Sequence, residues 1–255
     1  MHFDWAFFWR YLFEPSSIYL HGLWLTLSIS VICQLAGTII GLFAALGRLS
    51  SFRSLQMVVR LYTWVMRGTP LLVQVVFIYT ALAAANIFRF QDIDLGFVVL
   101  PGNIQAGIIA LSLNEGAYMA EIIRAAIASV DSGQVEASKS LGMRYHLFMR
   151  RIILPQAARF VIPPLGNEFN SMLKNTTLLS VIGVPELLLA TQMVTSATFK
   201  VFELYTVVAL YYLSLTTLWG CVQRRIELRF SEPHLRRQGT TMPGGWRRLF
   251  AATKG

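Results

Sequence analysis

The sequence predicts an all-α membrane protein of about five transmembrane helices, on three observations: little charge, long apolar runs, and basic residues confined to a few connections. Hydrophobic residues make up 55% of the 255-residue chain and charged residues only 14%, against about 25% charged in ordinary soluble proteins. So little charge would leave a soluble surface poorly wetted. Apolar runs of about 20 residues match a hydrocarbon core about 30 Å thick. Each run must be helical, because hydrocarbon offers no partner to an open backbone group.

In chain order the runs cover residues 19–46, 61–84, 104–130, 161–182 and 203–222. Ahead of them, residues 1–18 read as an extracytoplasmic interfacial segment. Its stretch 3–13 carries Trp5, Phe7, Phe8, Trp9 and Tyr11, rings that favour headgroup depth. Gly183-Val184-Pro185 should break the fourth run, leaving 185–198 as a short helix at the outer face. Residues 19–224 form the transmembrane domain, with a cytoplasmic loop at 131–160. Residues 225–255 form a basic cytoplasmic tail, disordered from Ser231 onward, whose Trp246-Arg247-Arg248-Leu249-Phe250 either touches anionic lipid or is simply solvated.

Orientation follows from the basic residues. Arg48, Arg53, Arg60 and Arg67 lie around the first connection; Lys139, Arg144, Arg150, Arg151 and Arg159 lie in the third; Arg224, Arg225 and Arg229 open the tail. The opposite side has Arg10, Lys200, and Arg89 set against Asp92 and Asp94. The N-terminus is therefore outside and the C-terminus cytoplasmic, which an odd number of spans satisfies. The same distribution disposes of nucleic acid as the reason for the net charge of +9. Cys33 and Cys221 sit inside apolar runs, and His2, His21, His146 and His234 are scattered, so no metal site is expected.

The loop 133–155 is more than a connector. Residues 134–141 favour a short helix, and Gly142 can end it at positive φ. A second helix fits 143–154, and Pro155 should prevent its continuation. Ala137, Ser138 and Gly142 are small enough to let another protein's backbone approach, and Glu136 adds an anionic handle. No GxxxxGK[ST] phosphate cradle and no GxSxG nucleophile occurs, so no catalytic residue is assigned.

Polar residues within the runs are costly and therefore candidate sites. Asn114, Tyr118 and Glu121 share a helical face, and Glu121 can pair locally with Arg124. Asn167, Ser171 and Lys174 share another face. Glu168 and Lys174 stand about 120° apart around a helix and do not pair comfortably. Glu168 thus needs a partner on another helix, on a second subunit, or in a substrate ammonium group. Asn114, Tyr118, Asn167, Glu168 and Lys174 are the candidate pathway residues; structural pairing competes for Glu168, and a structural or gating role for Lys174. Pro163-Pro164 reads either as a plain helix start or as a hinge.

Glu136-Ala137-Ser138, three residues, Gly142, nine residues, then Ile152-Ile153-Leu154-Pro155 resembles the EAA loop of bacterial ABC-importer permeases, with Ser138 in place of alanine. Arg67-Gly68-Thr69-Pro70-Leu71-Leu72-Val73-Gln74, Ala117-Tyr118-Met119-Ala120-Glu121-Ile122-Ile123-Arg124 and Leu173-Lys174-Asn175-Thr176-Thr177-Leu178 are similar to the second, third and fourth spans of polar amino acid permeases. The resemblance implies a type I ABC-importer permease fold in the bacterial inner membrane. It implies that Glu136, Ala137, Ser138, Gly142, Leu154 and Pro155 couple to a separate ATPase dimer. That partner uses ATP and Mg; this chain binds no cofactor. A second permease subunit, same or related, and an extracytoplasmic amino acid-binding protein are the other implied partners. The expected function is the membrane subunit of an ATP-driven importer for polar amino acids, including basic ones. The alternative is an ion-coupled secondary transporter or channel, whose signature inverted repeat is not evident.

Overall fold

The Asp4 carboxylate accepts the Phe7 N–H at 3.0 Å and caps α1 (Trp5–Phe13), the first helix. The structure, a computed structural model, describes residues 3–94, 96 and 99–230. Helix α2 (Ser17–Leu49) has 33 residues and at about 1.5 Å per residue is about 50 Å long, so it overshoots a hydrocarbon core of about 30 Å. Helices α3 (Arg53–Gly68) and α4 (Leu71–Val76) follow, then a π-helical turn (Phe77–Ala81) and α5 (Leu82–Ala84).

A continuous second span over 61–84 was expected; instead the helices on either side of Gly68–Leu71 bend by 108°. Thr69 and Pro70 are extended there. Pro70 lacks an N–H and forces the residue before it out of the helical region, so the helix cannot run through.

The next connection contains a two-residue antiparallel pair, β1 (Ile93–Asp94) and β2 (Val99–Leu100), with Ile93 opposite Leu100. A strictly all-α expectation did not include it. Asp92 accepts the Gly102 N–H at 2.8 Å, and the Gln105 amide donates to the Gln91 and Leu100 carbonyls, tying the loop to the start of α6 (Gly102–Ala128).

Helices α2 and α6 form the centre of the fold. Glycines stand at their close contacts, Gly37 and Gly41 on α2 and Gly116 on α6, where an added Cβ would clash with the neighbouring helix or side chain. A Cβ on Gly37 would lie 2.4 Å from Glu115 Cγ, and one on Gly41 would lie 2.5 Å from Met119 Cβ. Gly37 and Gly41 thus form a four-residue small-residue spacing that lets membrane helices approach closely. Ile29, Cys33, Val75, Leu111, Leu179 and Val184 bury the adjoining core.

Beyond α6 come α7 (Ser132–Ser140), α8 (Tyr145–Phe148), a second π turn (Met149–Ile153), α9 (Leu154–Asn175), a 3-10 turn (Thr176–Ile182), α10 (Leu187–Thr198) and α11 (Val201–Phe230). Pro155 was expected to end a helix but lies in the first turn of α9. The π turn before it widens the backbone, and proline is tolerated in a first turn because the missing N–H costs little there. Pro163 and Pro164, expected near a helix start, are interior to α9. The Gln223 amide of α11 donates to the Pro163 carbonyl at 3.3 Å, and the Trp219 indole donates to the Gly166 carbonyl at 2.7 Å, bracing this stretch from outside.

The break at Gly183 occurs as expected, with φ of +79° and a 51° bend before α10. Helix α11 is longer than its expected 203–222 run and takes in Arg224, Arg225 and Arg229, so the tail is still helical at its beginning. The remainder of the basic tail, 231–255, lies outside the described residues. Helix α1 packs its Phe8 with Tyr19, Leu187, Leu204 and Val207 against α2, α10 and α11.

Among the described residues, Ser17–Leu49 and Val201–Phe230 are each long and apolar enough to cross a membrane, and there are up to four such spans if each bent pair is one. Helix α6 has the length, at 27 residues, but its Asn114, Glu115, Glu121 and Arg124 keep composition alone from marking it.

Candidate substrate cavity and coupling elbow

Two places gather the polar residues. The first is a cavity of about 480 Å³ lined by Thr69, Pro70 and Leu71 from the break, Asn114, Glu115 and Tyr118 from α6, and Glu168, Ser171, Asn175 and Leu178 from α9 and its 3-10 continuation. That volume falls within the range of small-molecule sites, about 300–1,000 Å³.

The break that looks like a defect in the second span delivers backbone and a hydroxyl to this cavity. A polar clasp fixes it. The Asn114 amide donates to the Met66 carbonyl at 3.0 Å and to Gln74 Oε1 at 3.0 Å. Gln74 in turn donates to the Met66 carbonyl at 2.8 Å and to Thr69 Oγ1 at 2.7 Å. The Met66 and Thr69 carbonyls at the break are thereby satisfied. The Arg67 guanidinium lies 5.3 Å from the Tyr118 ring centroid, a cation–π contact beside the cavity.

Of the five candidate pathway residues, Asn114, Tyr118 and Glu168 come together here. Asn167 and Lys174 do not line the cavity: Asn167 Oδ1 accepts from Gln223 at 3.2 Å, and Lys174 is exposed. Glu168 accepts no side-chain hydrogen bond and forms no ion pair among the described residues, and it is half-buried at the cavity wall. Glu115 was not selected from sequence, although a carboxylate in the middle of an apolar run was signal enough. It is buried, with Oε1 accepting from the Gln34 amide at 2.9 Å. Glu121, grouped with Asn114 and Tyr118 by spacing, pairs with Arg124 at 2.9 Å as expected and also meets Arg48 of α2 at 3.3 Å. It therefore ties α6 to α2 and leaves the cavity to its neighbours.

The second place is the elbow between α7 and α8. Gly142 sits at the bend with φ of +67°, a conformation that favours glycine. Nothing lies within 4 Å of where its Cβ would be. Glu136, Ala137 and Gly142 are exposed, whereas Ser138 is turned into the bundle at 3% exposure with its hydroxyl donating to the Gln134 carbonyl at 2.6 Å. Ser138 is therefore not a free-surface residue; it shares the inward face of α7 with Val135, three residues before it, where small size lets the helix lie close. Leu141 and Tyr145 flank the bend and are 80% and 68% exposed, two apolar side chains that sequence reading passed over. Leu154 and Pro155 are both exposed. Below the elbow, Ala126, Val130, Phe148, Ile153 and Ala157 pack together with Val135 against them, so α6, α7 and α9 meet in one apolar cluster.

Where α1 meets the start of α11, Lys200 reaches Asp4 at 2.9 Å, and Glu203 Oε1 accepts the Asp4 N–H at 2.9 Å. The Phe7 N–H and then the Lys200 ammonium hold the Asp4 carboxyl below the usual carboxylate range, and Asp4 in return raises Lys200. Among the described residues no group of three or more His, Cys, Asp or Glu could hold a metal ion.

The cavity between the helices and the exposed elbow are the two features a membrane transport component needs, a space for a solute and a surface for a partner. Residues 37–232 match the family described as binding-protein-dependent transport system inner membrane component, and the chain belongs to that family. It is a multi-pass inner-membrane protein. It is 36% identical to the glutamine transport system permease protein GlnP of Escherichia coli (strain K12), covering 90% of this chain and 98% of that one. It is 37% identical to the arginine transport system permease protein ArgU of Corynebacterium glutamicum, covering 90% of this chain and 73% of ArgU. The crystal structure of an amino acid ABC transporter with histidines superposes with a TM-score of 0.79 at 37% identity, over 90% of this chain and 100% of that one. The inward-facing MetNI methionine ABC transporter shares the fold, with a TM-score of 0.66 at 18% identity. The ion-coupled alternative is not favoured by this membership.

Proposed function

We propose that this chain forms the translocation pathway of an ATP-driven importer for polar amino acids, basic ones among them. The observation that carries the reading is the cavity between the second-span break, α6 and α9, where Glu115 and Glu168 face a space of amino-acid size. Two carboxylates favour a ligand bearing ammonium or guanidinium groups, and the adjacent Arg67 offers a counter-charge for a ligand carboxylate. Permeases named for arginine and glutamine among the relatives are consistent with it.

In this reading five spans cross the membrane, counting α6, with the N-terminus outside and the C-terminus cytoplasmic. The elbow around Gly142 then faces the cytoplasm. Glu136, Ala137 and Gly142, flanked by Leu141 and Tyr145, form the surface on which a separate ATPase dimer seats, while Leu154 and Pro155 begin the helix that carries its movement into the bundle. Ser138 serves by letting α7 lie against Ala126, Phe148 and Ile153. ATP and Mg belong to that partner. A second permease subunit completes the pathway, and an extracytoplasmic binding protein delivers the amino acid.

The test of the cavity is Glu168→Gln in the reconstituted assembly, with arginine, histidine, glutamine and glutamate compared as substrates. A selective loss of arginine and histidine uptake is expected. Unchanged affinity and selectivity across the four would remove Glu168 from the substrate site.

A further inference from the structure

We propose that Gln34, on α2, is the positioning residue that aims Glu115 into the cavity and so sets the carrier's preference for a cationic side chain. This rests on the function proposed above. Gln34 does not line the cavity; it stands behind it. Its amide nitrogen donates to Glu115 Oε1 at 2.9 Å, and both residues are about 95% buried, at 5% and 4% exposure.

Gln34 is in turn held in place. Its Nε2 lies 3.5 Å from Thr38 Oγ1, and that hydroxyl donates to the Gln34 carbonyl at 2.7 Å one turn along the helix. Gly37 leaves open the space that Glu115 fills, since a Cβ there would meet Glu115 Cβ at 2.6 Å. One helix thus supplies both the slot for the Glu115 stem and the donor that fixes one of its oxygens. Among the described residues no other protein group hydrogen-bonds the Glu115 carboxylate, so its second oxygen is left to a ligand. Charge-assisted hydrogen bonds of this kind fix geometry as well as adding energy.

The opposite oxygen of the Gln34 amide is buried without a partner. A glutamine buried at a helix–helix contact with its amide oxygen unpaired by any protein group is poorly explained by packing, because an apolar residue of the same size would avoid the cost. Its one strong interaction is the bond to Glu115.

The experiment uses the full permease assembled in liposomes with its ATPase and binding protein, with initial ATP-dependent uptake of arginine and glutamine measured in parallel. Gln34→Met keeps the volume and removes the donor; the arginine-to-glutamine ratio should fall about tenfold, the worth of a buried hydrogen bond to a charged group. Glutamine uptake itself should stay within about twofold. Gln34→Asn, too short to reach Glu115, should behave the same way and covers the case in which the Met variant does not assemble. In a Glu115→Gln background, Gln34→Met should produce no further change in the ratio, because the two residues act as one unit. An unchanged ratio in both single variants overturns the proposal. So does an equal loss of both substrates, the mark of a purely structural role. A wild type that moves neither amino acid with ATP overturns the transport reading itself, which is a separate result.

Discussion

Gly142 offers the cleanest perturbation, because its surroundings isolate one cause. The residue sits at φ of +67°, and a Cβ added there would find nothing within 4 Å in this chain. Replacement by alanine therefore adds no steric clash and leaves only the backbone term, about 1–2 kcal/mol for a left-handed residue bearing a Cβ. If the elbow must hold this shape to seat on the ATPase, that strain appears in docking as a fall in affinity of about 5–30-fold. Gly142→Val should cost more, since β-branched residues tolerate positive φ least. Gly142→Asn should recover much of the loss, since asparagine visits that region readily. Gly220 on α11 is the control: it also has open space around it and is helical, so Gly220→Ala should leave docking unchanged. The assay is binding of the purified ATPase subunit to the permease in nanodiscs, alongside membrane insertion. Wild-type affinity for the valine variant would refute the docking role of the elbow. Equal impairment by Ala, Asn and Val would refute the backbone account.

Two further outcomes test the frame around the sites. Gly41→Ala places a Cβ 2.5 Å from Met119 Cβ and 2.9 Å from the Ala120 nitrogen, so unfolding in detergent should be easier by about 1–3 kcal/mol; Gly68→Ala, with nothing within 4 Å, should not share that loss. The Asp4 contacts should be independent of pH across the neutral range. The Asp4 carboxyl is depressed, so its contribution is present above the ordinary carboxylate range and is lost as pH falls through the folded value. Lys200 is raised, so its contribution is present below its ordinary range and is lost as pH rises through its folded value. Amide exchange over residues 5–13, corrected for the intrinsic rate, should therefore be flat from about pH 5 to about pH 9 and faster in Asp4→Ala. A pH-dependent step inside that window, or no effect of the substitution, would contradict the assignment.

What the sequence made legible follows from what hydrocarbon and local chemistry enforce. Apolar runs mark helices because no other backbone can be satisfied there, and α2 and α6 follow their runs closely while α11 continues past its own. Gly142 and Gly183 were read correctly as bends because positive φ is a local demand. The 108° break was missed although Gly68-Thr69-Pro70 spells it, because the apolar run continues across it and hydropathy is blind to direction. Pro155 misled for the opposite reason: it looks like a local breaker but falls in the first turn of α9 after a π turn. Pro163 and Pro164, read as a helix start or a hinge, lie inside α9 braced by side chains from α11.

The cavity was half legible. Asn114, Tyr118 and Glu168 stood out as polar groups in apolar runs, and so should have Glu115. Helical spacing grouped Asn167 and Lys174 with Ser171 on one face, and of these three only Ser171 lines the cavity. Gln34 carried no signal as a lone glutamine; only its approach to Glu115 across the α2–α6 contact gives it meaning.

The central claim is that this chain is moved by ATP hydrolysed on another protein. Its most direct test is uptake of labelled arginine and glutamine into liposomes containing the permease, its ATPase and the binding protein. The account predicts uptake that requires ATP inside the compartment where the ATPase sits and that stops when the ATPase is left out. Uptake that persists without ATP, or that an ion gradient alone can drive, would contradict it.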